Sequence, residues 1–371
     1  MTEIIVQTEN NKKQIAFIEN GKLLEYYEED KEYRRREGNI YIGIVKDVIN
    51  GMQSAFVDIG TEKNSFIHLK DILPKIDETK ETQKNDTEIG KIVKTNQKLL
   101  VQVKKDSNEK KGARVSTHIN LPSKYIALLP NTNIITISQK IEDEKEQQRL
   151  KKLVKDNLSE GNGAIIRTSA QGKEKEIIED IKKVEKKWNN IIQTSISPDL
   201  KEPKLLYKSE NIIEKMLIDL AGNSIEKITV NDKNMKKEIE DLKAQNQEYS
   251  DLKIEIKEKE NLLAIYDLKK QIEKIQNRKI WLKCGGFITI DKTEALTAID
   301  VNTGKYTGNQ NLEQTVYKVN SEATIEIAKQ LRLRDIGGIV IIDYIDMKNQ
   351  ENKEKIEIEA RHKWKALPSW I

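Results

Sequence analysis

The feature that most constrains this chain is a pair of short, β-branched runs, each ending in an aspartate, with one long amphipathic segment between them. The first reads Leu296-Thr297-Ala298-Ile299-Asp300-Val301-Asn302 and the second Ile339-Val340-Ile341-Ile342-Asp343. Both are of strand length, and turn-forming residues bound them at Gly304 and at Gly337-Gly338. Between them Leu312, Val316, Val319, Ala323, Ile327 and Leu331 recur at a helical period, which gives a helix one apolar stripe to lay on a sheet. A strand, a helix and a second strand joined in this way return parallel through a right-handed crossover. The pattern therefore predicts two neighbouring buried strands with Asp300 and Asp343 brought together at their ends. A carboxylate in such a place must be hydrogen-bonded, ion-paired or metal-bound, because its desolvation is otherwise too costly. Oxygen donors of this kind suit Mg²⁺ or Mn²⁺ rather than zinc. Asn302, two residues beyond Asp300, shares its strand face, whereas Asp346, three residues beyond Asp343, falls on the opposite one. The plainer reading is that both aspartates cap loops or pair with Arg332 and Arg334, two cations that also suit a helix C-terminus.

A chain of 371 residues is too long for one ordinary core and implies several modules. Its 65 basic and 61 acidic residues leave a formal charge of +4, so any polyanion must be met by local patches rather than by bulk charge. The single cysteine, Cys284, excludes an internal disulfide framework and an all-cysteine zinc site within one chain, and fits a reducing compartment. The N-terminal Met1-Thr2-Glu3-Ile4-Ile5-Val6 lacks a basic region followed by an apolar core, and no long apolar run occurs elsewhere. A soluble, cytoplasmic protein without membrane association is the expectation.

The remaining sequence divides by pattern. Residues 1–37 read as strands around an Asn20-Gly21 hairpin turn, too small to bury a core alone. Residues 38–118 carry short alternating strands with glycine turns, among them Ile40 to Val48, Ser54 to Gly60, Ser65 to Leu69 and Lys98 to Val103, as in a small Greek-key barrel of OB type. Phe56 and Phe66 are then either core residues or base-stacking platforms. The insert Lys75 to Glu88 is charged and apolar-poor, as a loop would be. The run Lys104 to Lys111, followed by Arg114, is either a solvated loop or a phosphate-contacting patch. Residues 119–203 alternate extended and amphipathic helical patterns around Ala164-Ile165-Ile166-Arg167-Thr168, where an arginine and a hydroxyl at a strand end precede a glycine turn and a helix start. That arrangement can clamp a phosphate, though an ordinary strand exit looks the same. Residues 204–278 show helices and one strand, without a catalytic constellation.

The stretches Ala298-Ile299-Asp300-Val301-Asn302-Thr303-Gly304, Asn320-Ser321-Glu322-Ala323 and Gln330 to Met347 together resemble the catalytic region of the ribonuclease E/G family. The resemblance runs from near the N-terminus to about Asn352 and implies a multidomain fold of mixed α+β and α/β character. An OB-type barrel (38–118) would be inserted in an RNase H-like subdomain (1–37 and 204–278), with a 5′-sensor region (119–203) and a DNase I-like catalytic domain (279–371). It further implies an endoribonuclease that cleaves single-stranded, A/U-rich RNA to 5′-phosphate products, acting on ribosomal RNA precursors and messenger RNA. Asp300 and Asp343 would hold one Mg²⁺ or Mn²⁺, Asn302 would orient Asp300 or the ion's water shell, and Phe56, Phe66, Lys111 and Arg114 would contact RNA. Arg167 and Thr168 would sense a 5′-monophosphate, and a homodimer stays open.

Beyond Met347 the resemblance fades. The family's zinc-binding cysteine motif does not follow, so no zinc link between chains is expected, and the sequence ends on Lys353 to Ile371 with an incomplete catalytic domain as the expectation. Two alternatives follow. One is a protein that grips RNA without cleaving it; the other, an RNase H-like nuclease using the acids of residues 204–278, predicts cleavage that survives loss of Asp300.

Overall fold

The computed structural model describes residues 1–30, 36–72, 88–107, 111–197, 202–219, 225–245, 249–293, 295–304, 312–334 and 336–365. The charged insert anticipated from Lys75 lies almost wholly outside them. The chain divides into two compact units, Met1–Arg34 with Asn223–Ile371, and Arg35–Gly222.

The first unit holds two sheets. In one, three antiparallel strands, Thr2–Glu9, Lys12–Glu19 and Lys22–Asp30, extend through parallel pairing of Thr2–Glu9 with Lys227–Val230 and of that strand with Lys253–Ile256. The Asn20-Gly21 dipeptide makes the tight turn its sequence predicts, both residues at positive φ (49° and 75°). The second sheet orders Lys279–Trp281, Phe287–Lys292, Thr297–Asn302 and Val340–Asp343; only the last pair is parallel. The connection between those two parallel strands is the helix Leu312–Leu333. Five of its six anticipated stripe residues, Val316, Val319, Ala323, Ile327 and Leu331, are buried, while Leu312 is exposed. Val319, Ala323, Ile327 and Leu331 pack on Ile288, Ile290, Ile299 and Val301, one face of the sheet, whereas Val316 packs with Met347 and Ile356. At the helix's end Leu333 joins the core of the N-terminal sheet. Arg332 donates Nε–H to the buried Glu25 carboxylate at 2.7 Å, so this arginine ties helix to sheet and does not pair with Asp300 or Asp343.

The second unit contains a barrel and an α/β layer. Strands Ile40–Ile49, Ser54–Asp58, Ser65–His68, Arg114–Ser116 and Lys98–Lys105 pair in that order, and Lys98–Lys105 closes back on Ile40–Ile49. Closure leaves little free edge among them. The one parallel contact, Phe66 with Arg114, is the strand-3-to-strand-5 pairing of a five-stranded OB-like barrel. Strand Lys204–Tyr207 adds to the outside of Ile40–Ile49. The adjoining layer is a four-stranded sheet built on Ile126–Leu129 and Gly163–Ile166, packed by helices Glu144–Asn157 and Lys175–Ser195 through Leu150, Val154, Ile177, Ile181, Val184 and Trp188.

Candidate active site

Asp300 and Asp343 are direct partners across the parallel pair, so their side chains leave the same face of the sheet from strands about 4.8 Å apart. The crossover predicted from sequence thus sets the two aspartates side by side; Asp343 ends its strand, whereas two further strand residues follow Asp300. Burial differs from the sequence reading. Along Thr297–Asn302 the pattern alternates, with Thr297, Ile299 and Val301 buried and Ala298 and Asp300 exposed; Ile341 and Asp343 are exposed likewise. The helix covers one face only, and the aspartates stand on the other. Exposed, they need no desolvation partner.

Asn302, on the same face as Asp300, donates its amide Nδ2–H to Asp300 Oδ2 at 2.5 Å. That bond fixes the carboxylate's rotamer. The exit of the second aspartate strand is fixed from below. Asn320, wholly buried on the crossover helix, accepts the Ile345 N–H at 3.1 Å and donates to the Ile345 carbonyl at 2.8 Å. Thr324 and Tyr344 share a hydroxyl contact of 2.8 Å one turn further on. The sequence marks Asn320 by its motif, but its clamp on residue 345 depends on which face of the helix meets the strand. Asp346 is exposed beyond the end of its strand and is not in the aspartate row. Cys284 is half-buried, its thiol pushed up chiefly by burial, while its N–H is held by Glu322 at 2.8 Å. Among the described residues no group of three or more His, Cys, Asp or Glu side chains converges as a metal cage. The two-carboxylate set fits an ion such as Mg²⁺, which keeps most of its waters and takes one or two protein carboxylates; it does not fit a structural zinc site.

The barrel gathers a different set. Phe56 and Phe66 are cross-strand partners whose rings meet edge to face, centroids 6.2 Å apart, each half-exposed. In register, the row continues from Phe66 to Arg114 and Lys105. Arg114 donates Nε–H and an Nη–H to Asp71 Oδ2 at 3.1 and 3.0 Å. Lys111 stands at the start of Lys111-Gly112-Ala113, where Gly112 is required: a Cβ there would lie 2.0 Å from the Asn64 carbonyl oxygen. This close approach lets the Phe66 N–H reach the Ala113 carbonyl at 2.7 Å and seats Lys111 beside the aromatic strand.

Arg167 and Thr168 follow strand Gly163–Ile166, both half-buried. Thr168 shares a hydroxyl contact of 3.0 Å with Ser138, and the next residue, Ser169, donates to the Lys124 carbonyl at 2.6 Å. The Ser123-Lys124-Tyr125 segment is pinned from behind by buried Asp180, which accepts from Ser123 Oγ at 2.5 Å and from the Tyr125 N–H at 2.9 Å. Neither Ser138 nor Lys124 is marked in the sequence, since each comes from a segment flanking another strand. The following glycine turn is already satisfied. Glu146 accepts the Gly172 N–H at 2.9 Å, and its pKa is pulled down to about 2, first by Arg149 and then by that N–H. The glycine turn that the sequence reading placed beside Arg167 and Thr168 in a phosphate clamp therefore has this N–H already taken by a carboxylate.

A model of the Ribonuclease E/G family matches residues 120–366. Ribonuclease G of Salmonella typhimurium (strain SL1344) is 36% identical over 361 residues, covering 95% of this chain and 73% of that relative. Ribonuclease G of Escherichia coli (strain K12) is 36% identical over 359 residues with the same coverage. Ribonuclease E of Nostoc sp. (strain PCC 7120 / SAG 25.82 / UTEX 2576) is 32% identical over 357 residues, 93% of this chain and 51% of the relative.

Proposed function

The chain belongs to the ribonuclease E/G family, and on that premise we propose that it is a Mg²⁺-dependent endoribonuclease for single-stranded, A/U-rich RNA. Maturation of ribosomal RNA and decay of messenger RNA in the cytoplasm are the processes this activity serves. The observation that carries the reading is the register pairing of Asp300 with Asp343 on an open sheet face, with Asn302 bonded to the first.

Hydrolysis of a phosphodiester needs an activated water and a counter-charge for the phosphate and the leaving oxygen. A divalent ion supplies both when bound, by lowering the pKa of its water and acting as a Lewis acid. Asp300 and Asp343 would hold it, and Asn302, bonded to Asp300, would orient that carboxylate, the part that outer partners play at metal sites. Cleavage of the P–O3′ bond by water leaves a 3′-hydroxyl upstream and a 5′-phosphate downstream. The exposed placement of the aspartates lets an unpaired strand approach them.

Phe56 and Phe66 stack bases, which contributes about 1 to 3 kcal/mol per base with little regard to sequence. Lys111 and Arg114 meet phosphates, and releasing counterions from these contacts makes binding salt-dependent. Arg167 grips a terminal 5′-phosphate by charge-assisted hydrogen bonds while Thr168 completes the contact. A monophosphate fits this two-residue grip better than a triphosphate does, so one earlier cut marks an RNA for the next.

The test is cleavage of a short A/U-rich RNA bearing either a 5′-monophosphate or a 5′-triphosphate, by the wild type and by Arg167→Gln. Faster cutting of the monophosphate by the wild type, with the two rates equalised in the variant, is the expected result. Equal rates in the wild type would remove the sensor role. Absence of Mg²⁺-dependent cutting on either RNA would remove the endonuclease reading itself.

A further inference from the structure

The open face of the four-stranded sheet carries more than the aspartates. Lys279 pairs with Thr289, which pairs with Asp300, so the aspartate row runs Lys279, Thr289, Asp300, Asp343 across all four strands. The adjacent row on the same face runs Trp281, Phe287, Asn302. Trp281 is 57% exposed, unusual for the largest apolar side chain. Its ring meets that of Phe287 edge to face with centroids 5.3 Å apart, and the Lys279 ammonium lies 3.5 Å from the Phe287 centroid and 4.3 Å from that of Trp281.

The loop after Asn302 supports this pair from behind. Gly304 has φ +61°, and a Cβ there would come within 2.5 Å of the Gly285 carbonyl oxygen, 3.3 Å of the Phe287 ring and 3.4 Å of the Trp281 ring. A backbone this close holds both rings in place against the segment that carries Asn302. Lys279 and Trp281 also rim a cavity of about 440 Å³ whose wall carries Lys274 and Lys329, with Glu326 beside Lys329.

We propose that Trp281 and Phe287 form a second base-stacking platform, which seats one base of the RNA beside the phosphate to be cut while Lys279 meets the adjoining backbone. The proposal rests on the endoribonuclease reading. Phe287 lies one strand, about 5 Å, from Asn302, and Trp281 two strands, about 10 Å. A base seated there is a near neighbour of the scissile phosphate. Every nucleobase has a π-face, so the platform reads no sequence and suits a single strand. Duplex bases are stacked on each other and cannot use it. The lysines supply the charge complement that a polyanion needs near Asp300, Asp343 and Asp291. Arg278 neutralises the last of these, bonded to it at 2.5 and 2.7 Å. An RNA strand therefore accounts for both the aromatic and the cationic half of the patch, whereas an apolar protein partner accounts only for the first.

The test uses the full chain and a set of short 5′-monophosphorylated RNAs that each lack one base at a successive position around the cut. For the wild type, one position adjoining the cut loses roughly 5- to 100-fold in kcat/KM. Trp281→Ala loses a similar factor on the intact RNA and nothing further on the RNA lacking that base; Trp281→Phe recovers most of the rate. A full additional loss on that RNA in Trp281→Ala, or no loss from Trp281→Ala on intact RNA, overturns the platform. Binding to the uncut RNA by the Asp300→Asn variant, read from 2-aminopurine fluorescence at that position with and without Trp281→Ala, separates the two readings. Quenching that depends on Trp281 keeps the platform even where cleavage is absent; quenching independent of Trp281 removes it, whatever the fate of the endonuclease reading.

Discussion

Two regions present an aromatic pair on a sheet surface, and they differ in what surrounds it. In the barrel, Phe56 and Phe66 continue in register into Arg114 and Lys105, inside a closed ring of strands. In the four-stranded sheet, Trp281 and Phe287 continue into Asn302, and the next row holds Asp300 and Asp343. Aromatic rings beside cations favour binding of a polyanion and nothing more. Aromatic rings beside both Lys279 and paired carboxylates present a polyanion with charges of either sign, and a cation bridging carboxylate and phosphate would tie that surface to chemistry. Under the proposed function, the same stacking interaction serves affinity in one region and positioning in the other. The two should respond differently to mutation.

The largest difference is expected for Asp343→Asn. It lowers kcat by more than about 100-fold and leaves RNA binding in place, as single-turnover kinetics and a filter-binding titration will show; a binding defect of equal size would assign Asp343 to the RNA grip instead. Asn302→Ala follows, with a loss of roughly 10- to 100-fold in kcat that higher Mg²⁺ partly restores, because the outer partner of a metal ligand tunes affinity for the ion. Phe56→Ala reverses the pattern. It weakens RNA binding by roughly 5- to 100-fold and leaves kcat at saturating RNA unchanged, so a fall in kcat would erase the division between the regions. Arg114→Gln is milder: its exposed pair with Asp71 contributes no more than about 1 kcal/mol to stability, and the slope of log binding constant against log salt falls by about 1. The smallest effect belongs to Asp291, held below its ordinary value of 3.8 chiefly by its hydrogen bond from Arg278. Because the folded-state value is depressed, the pairing stabilises the charged form above 3.8 and is lost as pH falls below it. Arg278→Gln therefore raises the Asp291 titration midpoint seen by NMR and leaves cleavage at neutral pH unchanged.

The sequence exposed the parts that depend on local periodicity. The stripe from Val316 to Leu331 specified a helix, its position between two β-branched runs specified a crossover, and the crossover's handedness specified the parallel pairing of Asp300 with Asp343. Which face stays open was harder to read. Thr297 to Asn302 alternates as a half-covered strand does, but Ile339-Val340-Ile341-Ile342 is apolar throughout, and nothing local marks Ile339 and Ile341 as 64% and 54% exposed. The barrel's Phe56 and Phe66 were legible as candidates because each is the aromatic of a short alternating strand among glycine turns. Trp281 and Phe287 were not, since nothing local shows that Lys279–Trp281 pairs back on Phe287–Lys292. The clamp made by Asn320, which the sequence marked only by its motif, and the role of Asp180 were missed for a related reason: each is a polar residue on an amphipathic helix whose value lies in a backbone group on another element.

The most direct measurement of the central claim is cleavage of a 5′-monophosphorylated, A/U-rich single strand across a Mg²⁺ titration, comparing the wild type with Asp300→Asn. Cutting that saturates with Mg²⁺ in the wild type and is lost in the variant, with RNA binding retained by both, is the predicted result. Undiminished cutting by Asp300→Asn, or cutting that needs no divalent ion, would contradict the assignment of the Asp300 and Asp343 pair as the metal-holding centre.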